Sequence, residues 1–437
     1  MSQSIDFALP TSSLQARFDG PQLTTEGGLC WLSEADTALG LCALLAAHIP
    51  EWRHGSVRHS LETLVRQRVF QIACGYEDQD DADTLRSDPL LKLVCGRLPS
   101  EADLASQPTL SRLENAVDAR ACYRLALALV EIYLQERERD GIPTRIVLDF
   151  DGTDDPAHGK QEGVAYHGYY GGYMYHPLLI FDGDTGQLIT AVLRPGTCHA
   201  SRGAVAILRR VVRLLRQRWP AVTIELRADS GFAVPALYDY CEEQGISYTI
   251  ALISNDRLEA LAAPLAEEAT QQRAETGEKV RRFAEGSYQA GSWEHERRVV
   301  YKAEALEKGL NTRFVVTTRD DPPEALYHWY TRRGDRPELC IKDLKEGCFA
   351  DRLSCHRFLA NQFRLLLHAA AYWLLDTIRR WLARLHAPHL QLGTLRLRLI
   401  KIGGWVRQRL EGISLHLASS HPGEPLWYLL ATRPCRS

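Results

Sequence analysis

The sequence predicts an α/β fold, a mixed five-stranded sheet flanked by helices, with a β-rich insertion and helical amino- and carboxy-terminal regions. Three observations predict it. Short apolar runs that end in carboxylates begin only after about residue 140. The segment Asp182-Gly183-Asp184-Thr185-Gly186 joins two such runs and carries strong hairpin-turn chemistry. Amphipathic stretches of helical period then alternate with the later runs.

Residues 1–140 read as a mainly helical domain. An apolar stretch follows Ser33, and Leu61 to Ala73 repeats apolar residues at helical spacing. Ser111-Arg112-Leu113-Glu114 resembles a capping box ahead of a long helix from Ala119 to Arg139. Arg145 to Asp151 is the first strand, Tyr173 to Phe181 and Gln187 to Leu193 the next two. A basic amphipathic helix, Ala204 to Trp219, precedes a fourth strand at Val222 to Leu226. A helix from Val234 to Gln244 leads to a fifth strand, Ser247 to Ile253. Three meandering strands, a helix, a strand, a helix and a strand make a ribonuclease H-like order. A purely parallel doubly wound sheet would not begin with a hairpin. This core is expected over 141–254 and 322–385, split by a β-rich insertion at 255–321 and followed by a basic tail, 386–437. Thr394 to Arg409 reads as a basic amphipathic stretch.

The composition, 45% hydrophobic and 24% charged over 437 residues, is that of a soluble globular protein rather than a disordered one. No basic start with a long apolar run opens the chain, and Leu365 to Leu375 is too short to span a bilayer. A cytoplasmic protein is expected, without a membrane partner. The 11 cysteines form no CxxC pair and read as reduced, mostly buried thiols. The net charge of −3 conceals an asymmetry: Arg352 to Ser437 holds 13 basic residues against 3 acids. Such a segment suits an anionic partner, although solvated helix faces against acidic parts of the same chain would look the same.

Three carboxylates stand out by position. Asp151 ends the first strand, Asp229 ends the fourth, and Glu338 opens a helix after the insertion. In the expected sheet the first and fourth strands are neighbours, so Asp151 and Asp229 would meet at one edge. Carboxylates supply the oxygen ligands that hard divalent cations require, and two such cations stabilise both charged oxygens of an in-line attack on a phosphodiester. Glu338, Lys342 and Lys345 fall at i, i+4 and i+7 on one helix face, behind Pro337 in its first turn. Cations beside a metal-binding acid can hold phosphates, though a solvated Glu–Lys pair is common. Arg357, Asn361 and Arg364 form a second polar face at helical spacing, suited to binding DNA phosphates through Arg357 and Arg364, although a plain solvent face would look the same. Asp149 shares a strand face with Asp151 and, with His158 and His167, is expected to support the metal ligands from outside. His158, Gln161, Glu162 and His167 could reach the metal site or the scissile phosphate, although loop hydrogen bonding would use the same residues. Trp293, in the insertion, could stack on an unpaired base.

With these residues in place the chain resembles the DDE transposases of bacterial insertion sequences. The resemblance rests on Asp151-Gly152-Thr153, on Asp229 after the fourth strand, and on a Tyr330-x2-Arg333-x4-Glu338-x6-Lys345 run behind a strand-rich insertion. It covers about residues 145 to 410. It implies Asp151, Asp229 and Glu338 as catalytic ligands of two Mg2+ ions, with Mn2+ a substitute, and Tyr330, Arg333 and Lys345 near DNA. Double-stranded transposon ends and target DNA, a homodimer in the DNA complex, and a bacterial cytoplasmic, nucleoid-associated setting are implied with it. The family spacing puts glutamate at 337, where this chain has proline. Glu338 keeps six residues to Lys345, which implies one residue inserted in a turn at Gly334–Pro337.

Two other readings compete. Asp149-Phe150-Asp151-Gly152-Thr153 also matches the opening of haloacid dehalogenase-type phosphatases, with Asp149 as nucleophile. The polar Asp154-Asp155-Pro156 and the meander that follow suit that fold poorly. A catalytically inactive, transposase-derived DNA-binding protein is the third reading, kept open by Pro337.

Overall fold

The computed structural model describes residues 4–168 and 170–433, with the side chains of 335–337 outside that description. The chain divides into two compact units. One is Met1–Ala121, Asp343–Ala350 and Leu367–Ser437; the other is Cys122–Lys342 and Asp351–Leu366.

In the second unit, the long helix α1 (Ala119–Glu138) precedes strand β1 (Arg145–Gly152). Ile146, Val147, Leu148 and Phe150 are all fully buried, as befits a strand covered on both faces. Strands β2 (Leu178–Asp182), β3 (Leu188–Val192), β4 (Thr223–Ala228) and β5 (Ser247–Leu252) follow. The insertion adds β6 (Val280–Tyr288), β7 (Arg297–Leu306) and β8 (Gly309–Thr317). All eight belong to one mixed sheet, in the order β6-β7-β8-β5-β4-β1-β2-β3. β1 lies parallel to β4, and β4 parallel to β5, while β2 runs antiparallel to β1 and to β3.

Two expectations need correction here. The sheet has eight strands rather than five, because β8 pairs antiparallel with β5, from Thr249 opposite Thr317 to Leu252 opposite Phe314. The insertion therefore continues the sheet. The expected strand at Tyr173 to Phe181 is split into Gly172–Tyr175 and β2, with His176 and Pro177 between them. Pro177 has no N–H to give a ladder. Gly172–Tyr175 instead joins Asp155–Pro156 and Ala165–His167 in a small separate sheet.

Helices α2 (Ala204–Arg218), α3 (Pro235–Glu243), α4 (Asp256–Thr276), α5 (Pro323–Lys342) and α6 (Phe358–Arg384) are the long helices from β3 onward. α2 buries Ala204, Leu208, Val211, Val212 and Leu215, one stripe at helical spacing, and leaves its arginines outside. α4 starts where the Asn255 side chain accepts from the backbone of Arg257 and Leu258, and stops at left-handed Gly277. It packs Ala266 and Ala269 on Val280, Ala303 and Ala305 of β6 and β7.

The first unit is mainly helical, with helices such as Leu61–Cys74 and Gln107–Ala116. Arg68 and Glu114 form a fully buried ion pair at 2.7 Å between those two. An exposed hairpin, Ile5–Ala8 with Ser13–Ala16, was not expected. Nor is 386–437 a separate tail: Gly404–Arg409 is a strand paired with Gly412–Leu417 on one side and Leu23–Thr24 on the other. Much of the carboxy-terminal basic excess is answered inside this unit. Arg380 pairs with Asp376 at 2.6 Å, Lys401 with Glu26 and Arg433 with Glu34 at 2.7 Å each, and Arg379 with Asp343 and Asp376. Among the described residues all cysteines are free and all but Cys30 buried, and no single helix is long and apolar enough to cross a membrane.

Candidate active site

Parallel pairing of β1 with β4 ends at Phe150 opposite Ala228, so the next residues of the two strands lie side by side, the one on β1 still paired with Leu179 of β2. Those residues are Asp151 and Asp229. Asp229 caps the short turn Ser230–Phe232 through Oδ1, which accepts from Gly231 N at 2.8 Å. Its Oδ2 faces Arg333 on α5. Arg333 Nη2 lies 2.9 Å from Asp151 Oδ2 and 3.8 Å from Asp229 Oδ2, so one guanidinium bridges both acids. Burial pushes the Asp151 carboxyl up to about 7; Arg333 opposes this, and the negative charges of Asp229, Asp149 and Glu338 add to it.

α5 delivers Arg333 because its first half is anchored. Leu326 and Tyr327 pack with Val300 and Val315, and Phe283 and Tyr330 border that cluster. The Tyr330 hydroxyl donates to Ala228 O at 3.2 Å, one residue before Asp229. α5 runs without interruption from Pro323 to Lys342, so Glu338 does not open a helix, and no turn occupies Gly334–Pro337. Pro337 itself has its side chain outside the described residues. A π-helical stretch follows the helix at Asp343–Gly347. Glu338 is exposed and folds back along the helix: a Cβ on Gly334 would sit 3.6 Å from its Oε1.

Asp149 has a different setting. It is buried against Arg227 of β4, with Arg227 Nε and Nη2 each 2.7 Å from its two oxygens. Arg227 also donates to Trp329 O at 2.8 Å and lies over the Trp329 ring. Desolvation raises the Asp149 carboxyl above its ordinary range, and Arg227 works against that rise.

Two residues that the sequence did not single out border the acids. Arg194, just past β3, is buried; its Nε donates to His176 O at 2.8 Å and its Nη1 to Ala200 O, while Nη2 has no hydrogen-bond partner among the described residues. His176 Nδ1 lies 3.0 Å from Cys198 O, and a carbonyl only accepts, so that nitrogen carries the proton. Nε2 is then the acceptor. A Cβ on Gly152 would stand 2.8 Å from His176 Nε2 and 3.4 Å from Arg194 Nη2, so both groups close on the residue beside Asp151. Burial lowers the His176 pKa, keeping the ring neutral. The signal that could have found Arg194 is the one that found the acids, a lone charge where an apolar strand ends.

The family described as transposase DDE domain group 1 matches residues 8–434. The chain belongs to this family. Transposase is the function class that membership supports. No curated protein matches the chain. Among solved structures it is similar to the cryo-EM piggyBac transposase synaptic complex with hairpin DNA, at 13% identity and a TM-score of 0.44, covering 86% of this chain and 79% of the other. It is also similar to the Mos1 transposase paired-end complex with left transposon end, at 15% identity and a TM-score of 0.18, covering 46% and 61%.

Other expected site residues of this transposase domain fall less close to the acids. His158 is exposed, with Nε2 3.0 Å from Asp351 O. Gln161 Nε2 donates to Cys355 O at 2.8 Å, and Glu162 accepts from Phe358 N at 3.0 Å, so both tie the loop after β1 to the segment leading into α6. His167 packs its ring on Tyr170 and His176, and among the described residues its buried Nδ1 has no hydrogen-bond partner. Lys342 is exposed at the end of α5, and Lys345 lies in the other unit. Arg357 is exposed at the start of α6. The polar face expected there is otherwise buried, which corrects the placing of Arg364 toward phosphates. Arg364 donates to Ser354 Oγ at 2.6 Å and Arg352 O at 2.9 Å, and Asn361 to Tyr175 Oη at 3.1 Å, so this face secures the preceding loop. Trp293 likewise packs inward, on Tyr238, Tyr288 and Arg297.

Proposed function

We propose that this chain is a DNA transposase that cuts at the terminal inverted repeats of an insertion sequence and joins the freed end to target DNA. The observation that carries the reading is the pairing of Asp151 and Asp229 at adjacent parallel strand ends, facing one guanidinium. The five strands β3-β2-β1-β4-β5 are read as its ribonuclease H-like core, and residues 1–140 as a part that helps recognise the ends. A dimer would hold two ends together.

Asp151, Asp229 and Glu338 are assigned as the metal ligands. Among the described residues no three such groups are gathered tightly enough to hold an ion. Their chemistry nevertheless fits a divalent cation: all donors are carboxylate oxygens, and Asp151 sits amid an excess of negative charge that a cation relieves. Two magnesium or manganese ions bound there would stabilise charge on the attacking and leaving oxygens of the displacement. The chain's own groups do the remainder. Arg333 restrains Asp151 and Asp229 against mutual repulsion. The unpartnered Nη2 of Arg194 donates to a non-bridging oxygen of the scissile phosphate. His176 Nε2 accepts a hydrogen from the attacking water or hydroxyl and so orients it. Tyr330, through Ala228 O, keeps α5 in register with the end of β4. Lys342, Lys345 and Arg357 are assigned to the DNA backbone. Asp149 acts by fixing β1 to β4, which argues against the phosphatase reading, since both of its oxygens are held by Arg227.

The test is cleavage of linear DNA carrying the native end sequences, in magnesium or EDTA, with wild type, Asp151→Ala, Asp229→Ala and Glu338→Ala. Metal-dependent nicking at the boundary, lost in each variant, is expected. Full cleavage by Glu338→Ala would remove Glu338 from the ligand set, and specific end binding without cleavage by the wild type would make the chain a DNA-binding relic.

A further inference from the structure

Between α2 and α3, on the helical side of the sheet, lies a cavity of about 700 Å³ lined by Arg209, Arg210, Arg213 and Arg216. The remaining lining residues, Tyr123, Tyr240 and Gln244 among them, are neutral. Among the described residues none of the four arginines has a carboxylate partner. Their neighbour Arg218 shows what pairing looks like here, since it meets Glu138 at 2.7 Å and Glu131 at 3.7 Å.

Three of the four, Arg209, Arg210 and Arg216, are held rather than loose. Arg209 lies over the Tyr240 ring and Arg210 over the Tyr123 ring, with Arg210 Nε 3.1 Å from the Tyr123 hydroxyl. Arg216 Nη1 donates to Gln244 Oε1 at 3.2 Å. Neutral partners fix the guanidinium planes without cancelling their charge. Arg209 and Arg213 stand at i,i+4, and Arg213 and Arg216 at i,i+3, spacings at which like charges repel along a helix. The arrangement costs stability unless an anion occupies it. From Arg209 to Arg216 the helix rises about 10 Å, the axial rise of about three successive phosphates on one DNA strand.

We propose that this cavity binds the phosphate backbone of duplex DNA, as a sequence-independent site separate from the acids of Asp151 and Asp229. The inference rests on the DNA-processing reading only in taking the anion to be DNA. Its test therefore uses no cleavage: binding of a random-sequence duplex of about 30 base pairs is measured in EDTA across a salt series. The variant Arg209→Gln/Arg213→Gln/Arg216→Gln should lower the slope of log affinity against log salt by about 2–3, at about 0.9 for each phosphate that is no longer neutralised. The matching triple lysine variant, which keeps the charge, should retain the slope. Arg218→Gln should leave it unchanged. A folded glutamine variant with the wild-type slope would overturn the proposal. Polyglutamate that displaced the duplex as well as unlabelled DNA of equal charge would overturn DNA as the ligand. Retained binding in a chain that never cleaves would keep this inference and remove the enzymatic one.

Discussion

Asp149→Ala should destabilise the sheet and not merely silence the site. The carboxylate is bound by both forks of Arg227, and removing it leaves a buried guanidinium with Trp329 O as its remaining hydrogen-bond acceptor. Breaking one side of such a buried pair costs about 3–5 kcal/mol. At a urea dependence of roughly 3 kcal/mol per molar, the midpoint should fall by about 1–1.7 M. Replacing both partners by apolar residues of similar volume, Asp149→Leu with Arg227→Met, should recover most of the loss, because the desolvation cost of two ions disappears with them. The assay is urea unfolding followed by hydrogen exchange at the Val147 and Leu226 amides, in the central strands β1 and β4. An Asp149→Ala protein with an unchanged midpoint but no activity would refute the reasoning, and would point to Asp149 as a reacting group, as the phosphatase alternative requires.

Arg194→Gln should reduce cleavage by about 10²–10³-fold, the usual loss for one oxyanion-binding donor, while end binding in a gel-shift assay persists; wild-type cleavage would remove Arg194 from the site. Gly183→Ala places a methyl against Arg227 Nη2 and Asp149 Oδ2, so its destabilisation in urea should be strongly non-additive with Asp149→Ala, and simple additivity would argue against direct coupling of the two positions. In the amino-terminal unit, burial first and then Arg97, Arg58 and Arg53 lower the His59 pKa to about 4. The unfolded chain therefore binds more protons between about pH 6.5 and 4, so stability present above pH 6.5 is lost as pH falls through that window. His59→Gln should flatten the melting temperature against pH over that interval, and an unchanged slope would assign the dependence to other groups.

What the sequence disclosed and what it hid divide along one physical line. Arg145 to Asp151 was legible as a strand because four buried apolar residues and a terminal carboxylate are local facts, and the hairpin at Asp182–Gly186 because turn chemistry is local too. Asp151 and Asp229 could be placed together because strand order follows from element order. Pairings between distant segments left no such trace: β8 on β5, and Gly404–Arg409 on Leu23–Thr24, depend on who meets whom. Polar residues misled in the same way. Arg364 and Asn361 look like a solvent face at helical spacing, yet their partners are backbone and hydroxyl groups of the preceding loop and of Tyr175. Pro337 reads as the start of a helix that in fact begins at Pro323, well before it. His176 was invisible because a single residue carries no spacing, whereas Arg194 carried the same lone-charge signal as the acids.

The extension of the sheet by β6, β7 and β8 has a consequence for how the third acid keeps its place. α5 leaves directly from β8, and β8 is locked to β5 by a fixed register, while Leu326 and Tyr327 clasp β7 and β8. The position of Glu338 is thus surveyed from the central strands outward, not measured along the chain. Lengthening or shortening the turns at 289–296 or 307–308 changes the count of residues between Asp229 and Glu338 without moving either one. Slipping β8 by a single residue against β5 would keep that count and still carry the whole of α5 out of alignment.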